Sequence, residues 1–192
     1  MGLNDFFDRD ARAYKWMARA HARLWQWGLA HLKLFSPLDI VDLGCGDGHV
    51  VAELLRMFPQ AKVTGVDLSP QAVAFAEKRN HGDILSRRCQ ILCNNVSALP
   101  FADESQDLIT AFETIYFWPQ NSFREIYRVL MPNGLFMIAN KYDGESKPAP
   151  EWAGAATCDK LTLIRQLKEA GFDEFSVDHN TEQRWLCILA RK

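Results

Sequence analysis

The run Asp42-Leu43-Gly44-Cys45-Gly46-Asp47-Gly48 puts three glycines at alternate positions directly after a short apolar segment. That spacing suits a backbone that turns tightly and comes close to a ligand, because glycine tolerates positive φ and carries no Cβ. Where such a loop joins a strand to a helix, the first N–H groups of the helix are open to a carboxylate or a phosphate. Asp67 follows about 20 residues later, at the end of the next apolar segment. An acidic side chain in that place accepts hydrogen bonds from both hydroxyls of a ribose. Together the two features indicate an adenosine-containing cofactor and leave open which one. A dinucleotide fingerprint needs a third small residue in G-x-G-x-x-G/A. Here that position is His49, whose bulk opposes close helix–strand packing.

A second group of candidates lies further on. Glu113 precedes the aromatic run Tyr116-Phe117-Trp118. A carboxylate there complements a cation, orients an amine or serves as general base, and aromatic faces attract a cation. The alternatives are a loop ion pair for Glu113 and plain packing for the rings. His21 and Trp27 are candidates in an aromatic N-terminal segment, His21 because histidine is the side-chain type suited to acid–base work near neutral pH. Tyr14 is a candidate lid residue. His49 itself reads as an exposed residue.

These residues need elements to hold them. Residues 8–34 read as one or two helices, with Tyr14, Met17, Leu24, Trp27, His31 and Leu34 at helical spacing. Strands are expected over Leu38–Leu43, Lys62–Asp67, Arg88–Cys93, Asp107–Glu113 and Leu135–Asn140. Helices are expected over Gly48–Phe58, from Ser69-Pro70 to about Arg79, over Gln120–Leu130 and over Asp159–Ala170. Ser69 followed by proline is a helix start, and Pro132-Asn133-Gly134 is a stop. Alternating strands and helices imply right-handed crossovers and a parallel sheet covered on both faces. Phe175–His179 and Arg184–Ala190 have no helix between them, so they should form an antiparallel hairpin at one edge. Residues 141–158 form the longest irregular stretch and read as a lid or a plain loop.

Several of these segments, in this order, resemble class I S-adenosylmethionine (SAM)-dependent methyltransferases. Ile40–Gly48 is similar to that family's first motif and Val63–Ser69 to its second strand with the ribose-binding acid. Asn95-Val96-Ser97-Ala98-Leu99-Pro100-Phe101-Ala102-Asp103 is similar to the adenine-side segment, Asp107–Ala111 to the fourth strand, and Arg128–Leu135 to the entry into the fifth. Met17–His21, Trp27-Gly28-Leu29 and Phe112–Pro119 resemble, more distantly, the ubiquinone/menaquinone C-methyltransferases. Two positions depart from the pattern. Asn95 stands where the family has Asp, and still offers an acceptor to an adenine amino group. Asn133 stands where the family has Gly, and tolerates a left-handed backbone.

The resemblance implies an α/β fold: a three-layer αβα Rossmann-like arrangement with a mostly parallel seven-stranded sheet. Residues 1–192 would be one domain, with a helical cap over 1–36 and the core over 37–192. It implies SAM as cofactor and S-adenosylhomocysteine (SAH) as product. Cofactor contacts are expected from Asp42, Gly44, Cys45, Gly46, Gly48, Asp67, Leu68, Asn95, Val96 and Glu113. Glu113, His21 and Tyr116 are the candidates for catalysis. Tyr116, Trp118 and Trp27 are those for substrate binding.

Composition narrows the partners. The 192 residues carry a formal net charge of −2, with no long basic run, so no field is expected that would attract nucleic acid or an anionic membrane. No uncharged apolar stretch reaches the ~20 residues of a membrane span, and no secretory signal is read at the N-terminus. Five cysteines, an odd number without paired spacing, argue against a disulfide framework. Cys89 and Cys93, about 13 Å apart on one strand, are too distant to share a bond or a metal. The expectation is a cytoplasmic enzyme, monomeric or homodimeric, without a metal, that methylates a small molecule. The alternatives are a non-catalytic SAM-binding protein and an NAD-dependent oxidoreductase.

Overall fold

The computed structural model describes residues 21–119, 121–141 and 160–192. Tyr14, Met17 and, of the expected lid over 141–158, residues 142–158 lie outside the described residues. The chain divides into two compact units, Met1–Asn95 and Val96–Lys192.

In the first unit a helix, α1, occupies 21–29, and a 3-10 turn follows at Ala30–Leu32. Then come β1 (Asp39–Leu43), α2 (His49–Met57), β2 (Lys62–Asp67), α3 (Pro70–Arg79), α4 (His81–Leu85) and β3 (Cys89–Cys93). The strands pair in parallel, in the order β3-β2-β1. Ile40 to Leu43 are all buried, the unbroken pattern of a strand covered on both faces. α2 turns Val50, Val51, Leu54 and Leu55 inward, a stripe at helical spacing. Ser69 Oγ accepts the Ala72 N–H at 3.3 Å with Pro70 in the first turn, which is the expected cap of α3.

Three details depart from expectation. Leu34, read as part of the N-terminal apolar stripe, is 98% exposed, and the buried hydrophobic side chains there are Leu24, Leu29 and Leu32. The helix gives way at Ala30, so the 3.6-residue spacing does not extend to Leu34. The third strand begins at Cys89. Arg88 instead sends its guanidinium back to the end of α2, to Pro59 O at 2.7 Å and Leu55 O at 2.9 Å. α4 is a five-residue helix that no sequence signal announced.

In the second unit β4 (Gln106–Phe112) leads through a 3-10 turn (Ile115–Phe117) to α5 (Ser122–Val129). β5 (Leu130–Lys141), α6 (Lys160–Ala170), β6 (Glu174–Asn180) and β7 (Trp185–Arg191) complete it. The order is β4-β5-β7-β6; β5 runs parallel to β4, and β7 is antiparallel to both its neighbours. The C-terminal hairpin is therefore as expected. α5 ends at Val129, before the proline turn, and β5 begins at once. Pro132-Asn133-Gly134 is an irregularity inside that strand, where the register with β4 shifts between Gln106 and Leu108. Asn133 there has φ 65°. The chain end holds this bulge: Asn133 N–H donates to Lys192 O at 2.9 Å, and Lys192 N–H donates to Gly134 O at 3.0 Å. Phe123, Phe136, Phe172 and Trp118 form the aromatic centre of the unit, each at most 4% exposed.

Candidate active site

In the first unit, the turn between β1 and α2 gives Gly44, Gly46 and Gly48 φ values of 68°, 53° and 75°. The N–H groups of Gly44 and Cys45 both donate to Val66 O, at 2.7 and 3.1 Å, which pins the loop to the end of β2. The next residue of β2 is Asp67. Its Oδ2 accepts the Gly46 N–H at 2.8 Å and its Oδ1 accepts the Ser69 N–H at 2.9 Å. Each carboxylate oxygen can accept two hydrogen bonds, so both keep capacity for a further donor. Burial raises the Asp67 pKa, and the amides of Ser69, Gly46 and Leu68 partly oppose that rise. A Cβ at Gly46 would meet nothing within 4 Å. The loop therefore has open space beside the one glycine whose amide holds the acid.

The surroundings complete this arrangement. Asn94 N–H donates to Asp67 O at 3.0 Å, which brings the exposed Asn95 close behind the acid. Leu68 is 53% exposed beside it. Asp42 is buried. Cys45 is buried too, and its thiol pKa is pushed well up by desolvation first and then by Asp67 and Asp42. Cys45 thus stays a neutral thiol that packs rather than reacts. Arg79 of α3 grips the loop from outside, with Nη2 on Asp47 Oδ2 at 2.6 Å and Nε on Asp47 O at 2.9 Å.

Gly48 has a different neighbourhood. Its N–H donates to Cys45 O at 2.9 Å. A Cβ there would come within 2.8 Å of Ala76 Cβ and 2.9 Å of Ala76 Cα. Asn80 Nδ2 donates to Gly48 O at 3.1 Å and to Ala76 O at 2.9 Å. This glycine serves the packing of α2 against α3.

On α1, His21 and Trp25 lie four residues apart and so on one face. The Trp25 ring packs against His49 at 5.0 Å in a tilted arrangement, and His21 meets Trp25 edge-on at 6.3 Å. His49, expected to be exposed, is half-buried under this ring. Trp27 points elsewhere: its ring meets His31 at 5.0 Å, and His31 Nδ1 lies 3.0 Å from Trp27 O.

In the second unit, Glu113 follows β4 with φ 56°. Its N–H is shared between Ala139 O at 3.1 Å and Asn140 Oδ1 at 2.7 Å. Its Oε1 accepts the Lys141 N–H and, at 3.2 Å, the Tyr116 hydroxyl. The Tyr116 hydroxyl is also 3.3 Å from Lys141 O. Trp118 donates Nε1–H to Thr114 Oγ1 at 3.2 Å, and its ring stacks on Phe136.

The segment after Val96 is fastened to α5. Leu99 N–H donates to Glu125 Oε1 at 2.7 Å. Arg128 pairs with that same carboxylate through Nε at 2.8 Å and Nη2 at 2.7 Å, and reaches Leu99 O, Phe101 O and Asp103. The hydrogen bond from Arg128 is the main reason the Glu125 pKa falls below the usual Glu range. Removing one partner of such a charge-assisted set costs ~2 kcal/mol. Arg128→Ala should lower stability by about that amount at pH 7. A carboxylate with a lowered pKa stabilises above its unfolded pKa, and loses that contribution as pH falls through the folded one. Urea unfolding from pH 7 down to pH 3 should show the gap between wild type and variant closing. A gap that stays constant would contradict this role.

Comparison with known proteins agrees with these features. Residues 41–138 match a family described as a methyltransferase domain. The chain belongs to that family of methyltransferase domains. Erythromycin 3''-O-methyltransferase of Saccharopolyspora erythraea is 28% identical over 176 residues, covering 80% of this chain and 58% of the relative. Demethylmenaquinone methyltransferase of Porphyromonas gingivalis is 33% identical over 138 residues, covering 69% and 54%. The chain thus spans about half the length of the curated relatives it matches. A SAM-dependent methyltransferase of Aquifex aeolicus has a similar structure, with a TM-score of 0.76 at 20% identity over 95% of this chain and 98% of that one. The fold class is the expected Rossmann-like one, with seven strands, mostly parallel, and an antiparallel C-terminal hairpin.

Within this methyltransferase domain, the structure brings together Gly44, Cys45, Gly46 and Asp67, with Leu68 and Asn95 beside them. Separately it joins Glu113 to Tyr116. Val96 is buried. Trp118 is 4% exposed in the aromatic core, so its ring fills that core. Trp27 sits two residues from Trp25, about 200° around the helix, on a different face from His21. Gly48 is turned toward α3. Sequence reasoning missed Trp25, Arg79, Asn140 and Lys141. Only Trp25 left a trace, its spacing of four from His21. Among the described residues, no helix is long and apolar enough to cross a membrane, and no three His, Cys, Asp or Glu side chains gather to hold a metal.

Proposed function

We propose that this methyltransferase domain moves a methyl group from SAM to a small-molecule acceptor and releases SAH. The observation that carries the reading is Asp67. Its carboxylate is held by the Gly46 and Ser69 amides, next to a glycine with open space on its Cβ side. That arrangement fits the ribose of an adenosine whose remaining parts lie along the backbone. SAM supplies a sulfonium-bound methyl; the C–S bond breaks as the acceptor–methyl bond forms, and the electron pair stays on sulfur.

The residues have the following roles. Asp67 accepts the two ribose hydroxyls. Gly44, Cys45 and Gly46 give backbone approach, and Asp42 orients the aminoacyl end. Leu68, Asn95 and Val96 serve the adenine. Glu113 complements the amine and the developing charge, and Tyr116 contacts the acceptor. His21 is an acid–base candidate on the same face as Trp25. Catalysis comes largely from alignment of nucleophile, methyl and sulfur with water excluded.

A small acceptor is supported by the net charge of −2 and by relatives named for erythromycin and demethylmenaquinone. We further read residues 1–192 as one domain, capped by 1–36, acting in the cytoplasm as a monomer or homodimer. The free thiols of Cys45, Cys89, Cys93 and Cys187 suit a reducing compartment. Calorimetric titration of the full chain with SAM and with NADH tests the cofactor. Binding of SAM alone is expected, and binding of NADH alone would reverse the reading. SAH release with a panel of metabolite fractions then finds the acceptor.

A further inference from the structure

We propose that Asn140 is a positioning residue for methyl transfer, acting through the backbone and carboxylate of Glu113. The inference rests on the proposed role of Glu113 at the cofactor amine. Glu113 is one of five non-glycine residues with positive φ among the described residues. A left-handed backbone is costly for a residue with a Cβ, and it persists only where its surroundings enforce it. Asn140 supplies that enforcement. It is fully buried, and its Oδ1 accepts the Glu113 N–H at 2.7 Å.

The next residue of β5 completes the frame. Lys141 N–H donates to Glu113 Oε1, and Lys141 O lies 3.3 Å from the Tyr116 hydroxyl that also donates to that carboxylate. Two successive residues of β5 therefore hold both ends of Glu113: Asn140 its main chain and Lys141 its carboxylate. Tyr116 is carried by the same carboxylate, three residues further along the 3-10 turn. A tilt of the Glu113 backbone would move the carboxylate and the phenol together. Asn140 needs no contact with the ligand to do this.

The test separates an effect at the aminoacyl end from general damage. SAH and 5′-methylthioadenosine share the adenosine thioether, and only SAH carries the aminoacyl end. Both are titrated calorimetrically into the full chain as wild type, Asn140→Ala, Asn140→Ser, Glu113→Ala and the double variant Asn140→Ala/Glu113→Ala. A Ser hydroxyl is too short to reach the Glu113 N–H but fills part of the space, so Asn140→Ser decides if the Ala variant does not fold. The expected result is a loss of SAH affinity of about tenfold with 5′-methylthioadenosine changed less than threefold. In the cycle, Asn140→Ala should add almost nothing once Glu113 is gone. Equal losses for both ligands, additive effects, or unchanged SAH binding would each overturn the proposal. Failure of wild type to bind either ligand would instead overturn the cofactor reading itself.

Discussion

Asp67→Ala is expected to weaken SAM binding about 100-fold or more. Hydrogen bonds to a charged group contribute ~1.5–3 kcal/mol each, and tenfold in affinity is about 1.4 kcal/mol. Two ribose hydroxyls on one carboxylate therefore put the loss at two decades or above. The same substitution frees the Gly46 and Ser69 amides, so the loop also loses its anchor. Titration calorimetry at pH 7.5, beside a melting curve that shows the variant folded, measures the effect. A loss below threefold in a folded variant would refute the role.

Acidification should mimic the substitution. Burial raises the Asp67 pKa, and a protonated carboxyl is a poorer acceptor for ribose hydroxyls. Affinity should thus begin to fall at a pH above that at which an ordinary Asp would cause it. The stability linkage has the opposite sign. A carboxyl whose pKa is raised by folding binds its proton more tightly in the folded state. It therefore favours folding below the folded pKa and loses that contribution as pH rises through it. Glu125, with its lowered pKa, acts in the reverse direction.

Gly48→Ala is expected to destabilise the domain by about 2–5 kcal/mol. Part of this is the left-handed backbone at φ 75°, which costs an L-residue ~1–2 kcal/mol. The rest is overlap with Ala76, whose Cα would stand 2.9 Å from the new Cβ. A backbone atom cannot swing aside, and overpacking of this kind costs ~1–3 kcal/mol. A domain of this size should then melt roughly 10 °C lower. Gly46→Ala is the informative comparison. Its φ is 53°, and nothing lies within 4 Å of the added methyl. Its stability loss should be confined to ~1 kcal/mol of backbone strain, while SAM affinity falls because the methyl occupies ligand space. Thermal denaturation and titration of both variants check the pair. Equal melting losses would contradict the division of labour between the two glycines.

The glycine loop and Asp67 are legible in the sequence because each requirement is local. A tight turn needs glycine at particular positions, and an acid at the end of the following strand needs only the β2 register to reach the loop. The alternation of strands and helices is legible for the same reason. Apolar runs such as Ile40–Leu43 and the stripe of α2 read directly as buried elements. Boundaries fail where a distant residue decides them. At the β5 irregularity over Pro132–Gly134, Lys192 bonds both Asn133 and Gly134. Nothing near position 132 reveals that partner.

The candidate site divides along the same line. Glu113 and Tyr116 are visible as a carboxylate and a phenol three residues apart. Their binding to Asn140 and Lys141 is not, since a strand pairing about 27 residues away supplies it. Trp118 and Trp27 look like pocket residues by type, whereas the burial of the first among Phe123 and Phe136 and the ring contact of the second with His31 come from packing alone. Asp47 reads as one more loop acid, whereas Arg79, 32 residues on, holds it.

The sequence by itself determined the family, the strand–helix order, and the loop and acid of the proposed cofactor site. Spacing along the chain is enough to encode a turn, a periodic face or an acid at a strand end. Only the tertiary structure decided that Gly46 keeps open space while Gly48 is filled by α3, that Trp25 covers His49, and that Asn140 holds Glu113 in a left-handed backbone. Each of these depends on atoms brought within a few ångströms by strand pairing or helix packing, and residue type alone does not carry that distance.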